Sequence, residues 1–547
     1  MRNINLLIAA VGFALVSLLY PQWPPSVTES YGDQLIMGMV RNRPLKLVPY
    51  QVYSTDQKQL IHFVFGTGLL QKPGKMASPP PLIDRYVRDA GQSDRVWRIV
   101  LRRNVIFQDG TDLRNQDVKF TFEFLKRFGG YVLNRRLNFQ SIQQIDLDGD
   151  LEVRFVLDRP NPRFFEEFND VAILSSRYYR EAMTRGMEVF EEKTPMGLGP
   201  FAVESISPER IQLKFHRHYF AGRPFINNIQ VRLYDSEQAM VDALVNGELD
   251  YLELQDRRLA EQLHQLMGKK ILVFTIPRPE KKLFFILLNL RGFPFQQRGV
   301  REAIQLAINR EGLVERFKGT GQKLANTLFA EGDPVYYRPL FRGSYNPSRA
   351  LDLLTQAGWH IDSQKGVLVK NGRPFSFKLY FSQFSTLEES IARLVKIYLG
   401  ELNINVQPVP IPEGEKLDHV QNNDFQAMIL TYSYDPNYPL EAAEQFYFDV
   451  LKGDLSNPNY TNSRLDRLFN AVYQRPELRE ELFHRFQFYI KRDRPAIFLF
   501  FDQRIIVVLS SRFHNVRSVF KQDGHFFYRL NPIENWYVPK ELQKYNF

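Results

Sequence analysis

A chain of 547 residues is too long for one small core and suggests about two to four domains. Its hydrophobic share of 44% and charged share of 24% are those of a globular protein, and its net charge of +10 is spread too thinly to form the Lys/Arg blocks of a nucleic-acid patch. With no cysteine anywhere, disulfides, thiolate metal sites, Cys nucleophiles and a lipoprotein anchor are all excluded.

The chain opens with a short positive segment, Met1 to Asn5, followed by an uncharged, almost wholly apolar run from Leu6 to Tyr20. As a helix that run spans roughly 22 Å, short of a bilayer core of about 30 Å but long enough for the apolar region of a signal peptide. The residues after it, Tyr20 to Pro25, offer no small-x-small cleavage site. Two readings stay open: a signal peptide cut at an atypical site, or an uncleaved N-terminal anchor. Both put the remaining chain outside the cytoplasm.

Lys72 to Pro81 is a Pro-rich loop, and alternating strands and helices follow. Val96 to Leu101 reads as a strand and Asp117 to Lys126 as a helix. Ser141 to Leu147 and Leu151 to Leu157 flank Asp148-Gly149, a hairpin signal. Ile211 to Phe215 and Ile229 to Tyr234 read as strands. Ser236 caps a helix that stops at Gly247. Phe284 to Leu290 is apolar enough for a strand buried on both faces. A helix runs from about Val300 to Ile308, and another opens at Pro347 or Ser348 and closes at Gly358. Gly366 to Lys370 and Phe375 to Phe381 flank Asn371-Gly372, a second hairpin signal. Ser385 and Glu388 form a capping box for a helix ending at Gly400, and Ala496 to Leu509 holds one or two buried strands. Mixed strands and helices throughout indicate an α/β fold with partly antiparallel sheets.

No template for a metalloprotease, a serine hydrolase or a phosphate-binding loop is present. His216 and His218 share a strand face and lack further ligands nearby, which makes them surface or edge histidines. Asp146, Asp148 and Asp150 resemble part of a calcium loop, but Gly149 precedes the third Asp and a hairpin turn accounts for the segment. Aromatic residues make up 14% of the chain, enough for a core and for the walls of a ligand cleft. Neither a catalytic constellation nor a cofactor is indicated.

Six segments, in order, resemble the family 5 extracellular solute-binding proteins, the peptide receptors of ABC importers. Val105 to Phe120 (VIFQDGTDLRNQDVKF) is similar to that family's VKFHDGTPLTAEDVxF, with Arg114 at a position where the family often has a capping Thr or Ser. Met196 to Phe201 (MGLGPF), His218 to Phe225 and Ala239 to Asp250 look like the next three motifs. Asn289 and Phe295 with Val300 to Glu311 resemble the fifth. Tyr345 to Ala350 with Ala357-Gly358-Trp359 resemble the sixth.

The resemblance implies a periplasmic-binding-protein-like fold: multi-lobed mixed sheets with a hinge, class C and type II-like. Residues 1–30 would be the signal peptide or anchor. Residues 31–70, 190–275 and 501–547 would form lobe I, 71–189 an inserted lobe II, and 276–500 lobe III. A peptide-like or other small ligand would be enclosed between lobes I and III and delivered to an ABC importer permease, without enzymatic turnover and without nucleic acid. The alternative is a membrane-anchored sensor or assembly protein that keeps the fold without transport.

Tyr432 to Pro439 (YSYDPNYP) aligns with the family's WSADYPDP. The implied ligand contacts are Asp435, Tyr432, Tyr434 and Tyr438. Asp435 falls where peptide receptors pair the ligand's α-amino group, although an Asp before Pro436 also organises a turn. The Arg that dipeptide receptors place after the strand Phe375 to Phe381 is missing, since none occurs between Arg373 and Arg393. A longer peptide or a non-peptide ligand fits better than a dipeptide. Val64 to Leu70 also lacks the Glu of the family's LFEGL.

Overall fold

Phe284 to Leu290 is the second half of something longer than its pattern suggests. In the computed structural model this segment closes a strand of 18 residues, Ile271–Leu288. The structure describes residues 31–41, 47–49, 55–66, 82–88, 94–128, 139–158, 160–161, 164, 171–317, 322–338, 345–364, 366–434, 436, 438–453, 456–472, 475–517 and 530–545. The N-terminal apolar run, the Pro-rich loop and Asp435 lie outside them. Among the described residues no helix is long and apolar enough to cross a membrane.

The strands in chain order are β1 (Gly32–Val40), β2 (Ile83–Arg88), β3 (Val96–Leu101), β4 (Ile142–Asp148), β5 (Glu152–Leu157), β6 (Phe201–Ile206), β7 (Arg210–Phe215), β8 (Ile226–Tyr234) and β9 (Tyr251–Leu254). They continue with β10 (Ile271–Leu288), β11 (Lys323–Leu324), β12 (His360–Asp362), β13 (Val367–Lys370), β14 (Arg373–Pro374), β15 (Ser376–Ser382), β16 (Asn405–Ile411), β17 (Ala427–Tyr434) and β18 (Ala496–Ser510). One 11-stranded sheet has the order β16-β15-β17-β10-β18-β9-β1-β8-β7-β6, with β11 beside β18. A four-stranded sheet, β2-β3-β5-β4, and a small sheet, β12-β13-β14, stand apart from it.

β10 and β18 hold the large sheet together. They pair antiparallel along almost their whole length and exchange neighbours midway. The first half of β10 and the last half of β18 belong with β9, β1, β8, β7 and β6; the other halves belong with β17, β15 and β16. Between the halves the register slips: Pro277 faces Arg504 and Lys282 faces Asp502, so Arg278 to Lys281 stand opposite Gln503 alone. Strict alternation gives each face its own core. Leu283, Phe285 and Leu287 pack into one cluster with Phe446 and Phe498, while Phe284, Ile286 and Leu288 pack into another with Phe295, Ile304 and Phe377.

Buried charge fixes the other end of the sheet. The Arg512 guanidinium donates to Asp33, to both oxygens of Asp250 (2.8 Å each) and to the Gln34 carbonyl at 2.7 Å. Asp250 also accepts the Ile36 N–H, and Asp33 accepts the Lys544 and Tyr545 N–H groups. All three ionised groups are buried, so each needs the others to offset its desolvation. The network joins β1, the start of β9 and the chain's last described residues.

Three local expectations need correcting. The Asn371-Gly372 turn does join two strands, with both residues at positive φ. However, on the far side of the turn β13 pairs with Arg373 and Pro374 and accepts the Phe375 N–H at Leu368, after which the strand from Ser376 leaves to lie parallel to β16 and β17. Ser385 caps its helix by accepting the Glu388 N–H at 3.2 Å, but the Glu388 carboxylate does not return to the cap. His216 and His218 do not share a face: His218 is exposed, whereas His216 is buried, its Nδ1 sits 3.1 Å from the Gly199 carbonyl, and its Nε2 meets no partner.

Two measurements follow. A Cβ on Gly199 would stand 2.3 Å from the Phe63 carbonyl oxygen, whereas Gly292 has open space around it. Gly199→Ala should therefore cost more than about 2 kcal/mol in urea denaturation, and Gly292→Ala roughly 0.5 kcal/mol or less. Burial also raises the Glu534 and Glu237 carboxyls from 4.5 to about 7 each. The folded state then keeps protons that the unfolded chain releases near 4.5, so stability falls as pH rises through that window, by up to roughly 3 kcal/mol per group. Glu534→Gln should flatten this fall between pH 5 and 8; a pH profile matching the parent's would show that Glu534 does not contribute.

Candidate functional site

In open α/β sheets, ligands bind beyond the carboxyl ends of parallel strands, where the side chains of successive loops converge. β15, β16 and β17 run parallel to one another, and their carboxyl ends are Ser382, Ile411 and Tyr434. Tyr434 pairs with Lys281 of β10 and Ser433 with Lys282, directly beside the register slip. The edge therefore opens at the boundary between the two halves of the large sheet.

Tyr432 and Tyr434 lie on the same face of β17 with their rings stacked 6.4 Å apart. Both hydroxyls are engaged within the protein. Tyr432 donates to the Ala442 carbonyl at 3.0 Å. Tyr434 is 4% exposed; it donates to Asp333 Oδ2 at 2.5 Å and accepts the Ala330 N–H at 2.9 Å. Burial, together with the Asp333 carboxylate, pushes the Tyr434 phenol well above its ordinary range. Burial also raises Asp333, against the pull of its two donors. Tyr432 can supply ring surface while Tyr434 is enclosed, and neither hydroxyl is left for a ligand. Tyr438 is half-buried at the start of the helix Pro439–Gln445, and its carbonyl accepts the Ala442 N–H. Asp435 lies outside the described residues, between these neighbours.

The sequence reading missed a charged triad at the same edge. Glu388 Oε2 accepts the Ser382 N–H at 2.7 Å and the Lys416 ammonium at 2.5 Å. Lys416 also meets Glu413 at 3.0 Å. The Lys416 and Glu388 side chains are 3% and 5% exposed, and that of Glu413 is 32% exposed. Burial pushes the Glu388 carboxyl up, and the Lys416 charge opposes that shift; burial would also raise Glu413, but Lys416 and the Ser382 hydroxyl hold it below its usual range. Glu388 belongs to the helix Thr386–Gly400 and Lys416 to Glu413–Gln421. The triad thus clasps two helices across the end of β15. The signal available beforehand was the run Glu413-Gly414-Glu415-Lys416 directly after a strand; Glu388 was hidden by its place in a capping pattern.

The motif residues serve the scaffold. The Gln108 amide donates to the Val64 and Phe201 carbonyls at 2.8 Å each and accepts the Gly197 N–H at 3.0 Å. It knots the turn after β3 to the MGLGPF segment and to the helix Thr55–Phe65. Asp117 replaces the missing cap at Arg114 by accepting the Arg114 N–H at 2.8 Å. Asn289 ties β10 to the Asn423 and Phe425 carbonyls, and the buried Arg301 donates to the Phe295, Gln296 and Asp493 carbonyls. Asp146 pairs with Arg154 across the Asp146–Asp150 hairpin, and Asp150 ties its turn to Arg114. Among the described residues no group of three or more His, Asp or Glu is placed to hold a metal.

Residues 88–453 match the model of the bacterial extracellular solute-binding proteins, family 5. The chain belongs to this family. The oligopeptide-binding protein AppA of Bacillus subtilis is 24% identical over 467 residues, 81% of each chain. The solved structure of AppA with a nonapeptide superposes with a TM-score of 0.72 at 21% identity, covering 93% of this chain and 99% of that one. NikZ of Campylobacter jejuni, solved with Ni(L-His), gives 0.73 at 20% identity over 88% and 95%. The fold is that of the family's periplasmic binding proteins, and the family is one of solute receptors.

The triad makes a stability prediction. Lys416→Met leaves Glu388 buried without its cation and should destabilise the fold by about 3–5 kcal/mol in urea denaturation. Pairing it with Glu388→Leu should restore most of that loss; a double variant no more stable than Lys416→Met would show that the ion pair is not the cause.

Proposed function

We propose that this family member is an extracytoplasmic receptor that encloses a peptide-like ligand at the carboxyl edge of β15, β16 and β17 and hands it to an ABC importer permease. The observation that carries the reading is the position of that edge beside the register slip of β10 and β18. A ligand bound there touches one half of the large sheet and faces the other, so gripping it favours closure. Residues 31–70, 190–275 and 501–547 form lobe I on this reading, 71–189 lobe II and 276–500 lobe III. The N-terminal run Leu6 to Tyr20 is the export signal, whether cut or kept as a tether.

A peptide is favoured over a metal chelate because the described residues at the edge are carboxylates, lysines and aromatic rings, and none of them forms a metal-holding group. Asp435 supplies the anchor for a ligand ammonium. Tyr432 and Tyr438 border it, and Tyr434 supports Tyr432 from behind. The absence of an Arg after β15 agrees with a ligand held along its backbone rather than by its terminal carboxylate.

The test is calorimetric titration with defined peptides of three to nine residues, together with small-angle scattering. Saturable binding with a contracted envelope is expected. Asp435→Asn should weaken binding by about 2–5 kcal/mol, because the ligand's charge is left buried and unpaired. A peptide pool that neither binds nor contracts the protein would rule out the peptide-receptor reading.

A further inference from the structure

We propose that Glu413 is a specificity-determining carboxylate of this edge and that it selects ligands bearing an ammonium or guanidinium group. The inference rests on the receptor reading above and deepens it.

Glu388 and Lys416 alone would make a neutral clasp, and both are sealed from solvent. Glu413 adds a second carboxylate to the same ammonium at 3.0 Å. It is the member of the triad that stays open, with 32% of its side chain exposed. It stands two residues beyond the carboxyl end of β16, in the first turn of its helix. Lys416 and the Ser382 hydroxyl hold it in place and keep it ionised. A carboxylate fixed in advance loses little freedom when a cation arrives.

Glu413 follows β16, which β15 and β17 separate from β10. Lys282, at the end of the register slip, lowers both Glu413 and Glu237, which begins a helix in the other half. The cross-strand partner of Lys282 is Asp502. Lys281 and Lys282 of β10 stand here with Lys416, beside Glu413, Asp502 and the burial-raised Glu237 and Glu388, and Glu413 is the carboxylate of the triad open to a ligand. A cationic side chain meeting it in a closing cleft would lose water and gain a charge-assisted hydrogen bond.

The experiment uses pentapeptides of alanine carrying either a lysine or a norleucine, scanned through the five positions, titrated into the full-length protein by calorimetry. The parent should bind one lysine peptide at least tenfold more tightly than its norleucine twin. Glu413→Gln should bring that ratio to within about twofold by weakening the lysine peptide, and should lower Tm somewhat because Lys416 loses one of its two carboxylates. Glu415→Gln, an exposed neighbour on the same helix, should keep the preference and so control for net charge. A preference that survives Glu413→Gln, or no preference at any position, overturns the inference while leaving peptide capture standing. Binding of no pentapeptide, lysine or norleucine, overturns the receptor reading and this inference with it.

Discussion

Everything in the large sheet depends on one pairing, the antiparallel ladder between β10 and β18. Eleven strands form one sheet only because these two are long enough to serve both halves. Their side chains are apolar on both faces through Leu283–Leu288 and Ala496–Phe501, which commits helices to each face and leaves no solvent side. The slip at Pro277–Lys282 interrupts the ladder where the two groups of neighbours change over. Placement of the candidate site follows from it, since the carboxyl end of β17, beside those of β15 and β16, meets β10 at that interruption.

The buried charges divide into two kinds. Arg512 with Asp33 and Asp250 ties chain ends to the sheet and is closed on every side. The Glu388–Lys416–Glu413 triad has the same chemistry but remains open on one side, at the carboxyl ends of β15 and β16. Replacing buried ion groups by apolar side chains often stabilises a protein.

Much of the fold could be read from residue patterns because those patterns are local. Val96 to Leu101, the Ser236 cap and the Asn371-Gly372 turn depend on neighbours in sequence, and the structure has each. What escaped was set by partners far along the chain. Nothing near Phe375 says that its strand will abandon the hairpin for β16 and β17. Nothing near Glu388 says that its carboxylate will turn from the cap toward Lys416, 28 residues on. His216 alternates with His218 like any strand pair, yet β7 ends at Phe215 and the next turn buries one and exposes the other. The motifs that carried the family resemblance proved to be packing devices, such as the Gln108 knot. They identify the family well and say little about the ligand.

The inward-turned hydroxyls of Tyr432 and Tyr434 bear on selectivity in a different way. A pocket wall that displays free donors and acceptors rejects any guest unable to match them, because each mismatch strands a polar group away from water. At β17 the polar groups are already spoken for by Ala442, Asp333 and Ala330, and with Tyr434 buried only the half-buried Tyr432 ring is left to face a guest. Such a surface tolerates many side-chain shapes equally. Breadth of substrate range at the strand and any discrimination by charge at the helix after β16 would then be properties of separate parts, free to change independently as relatives diverge.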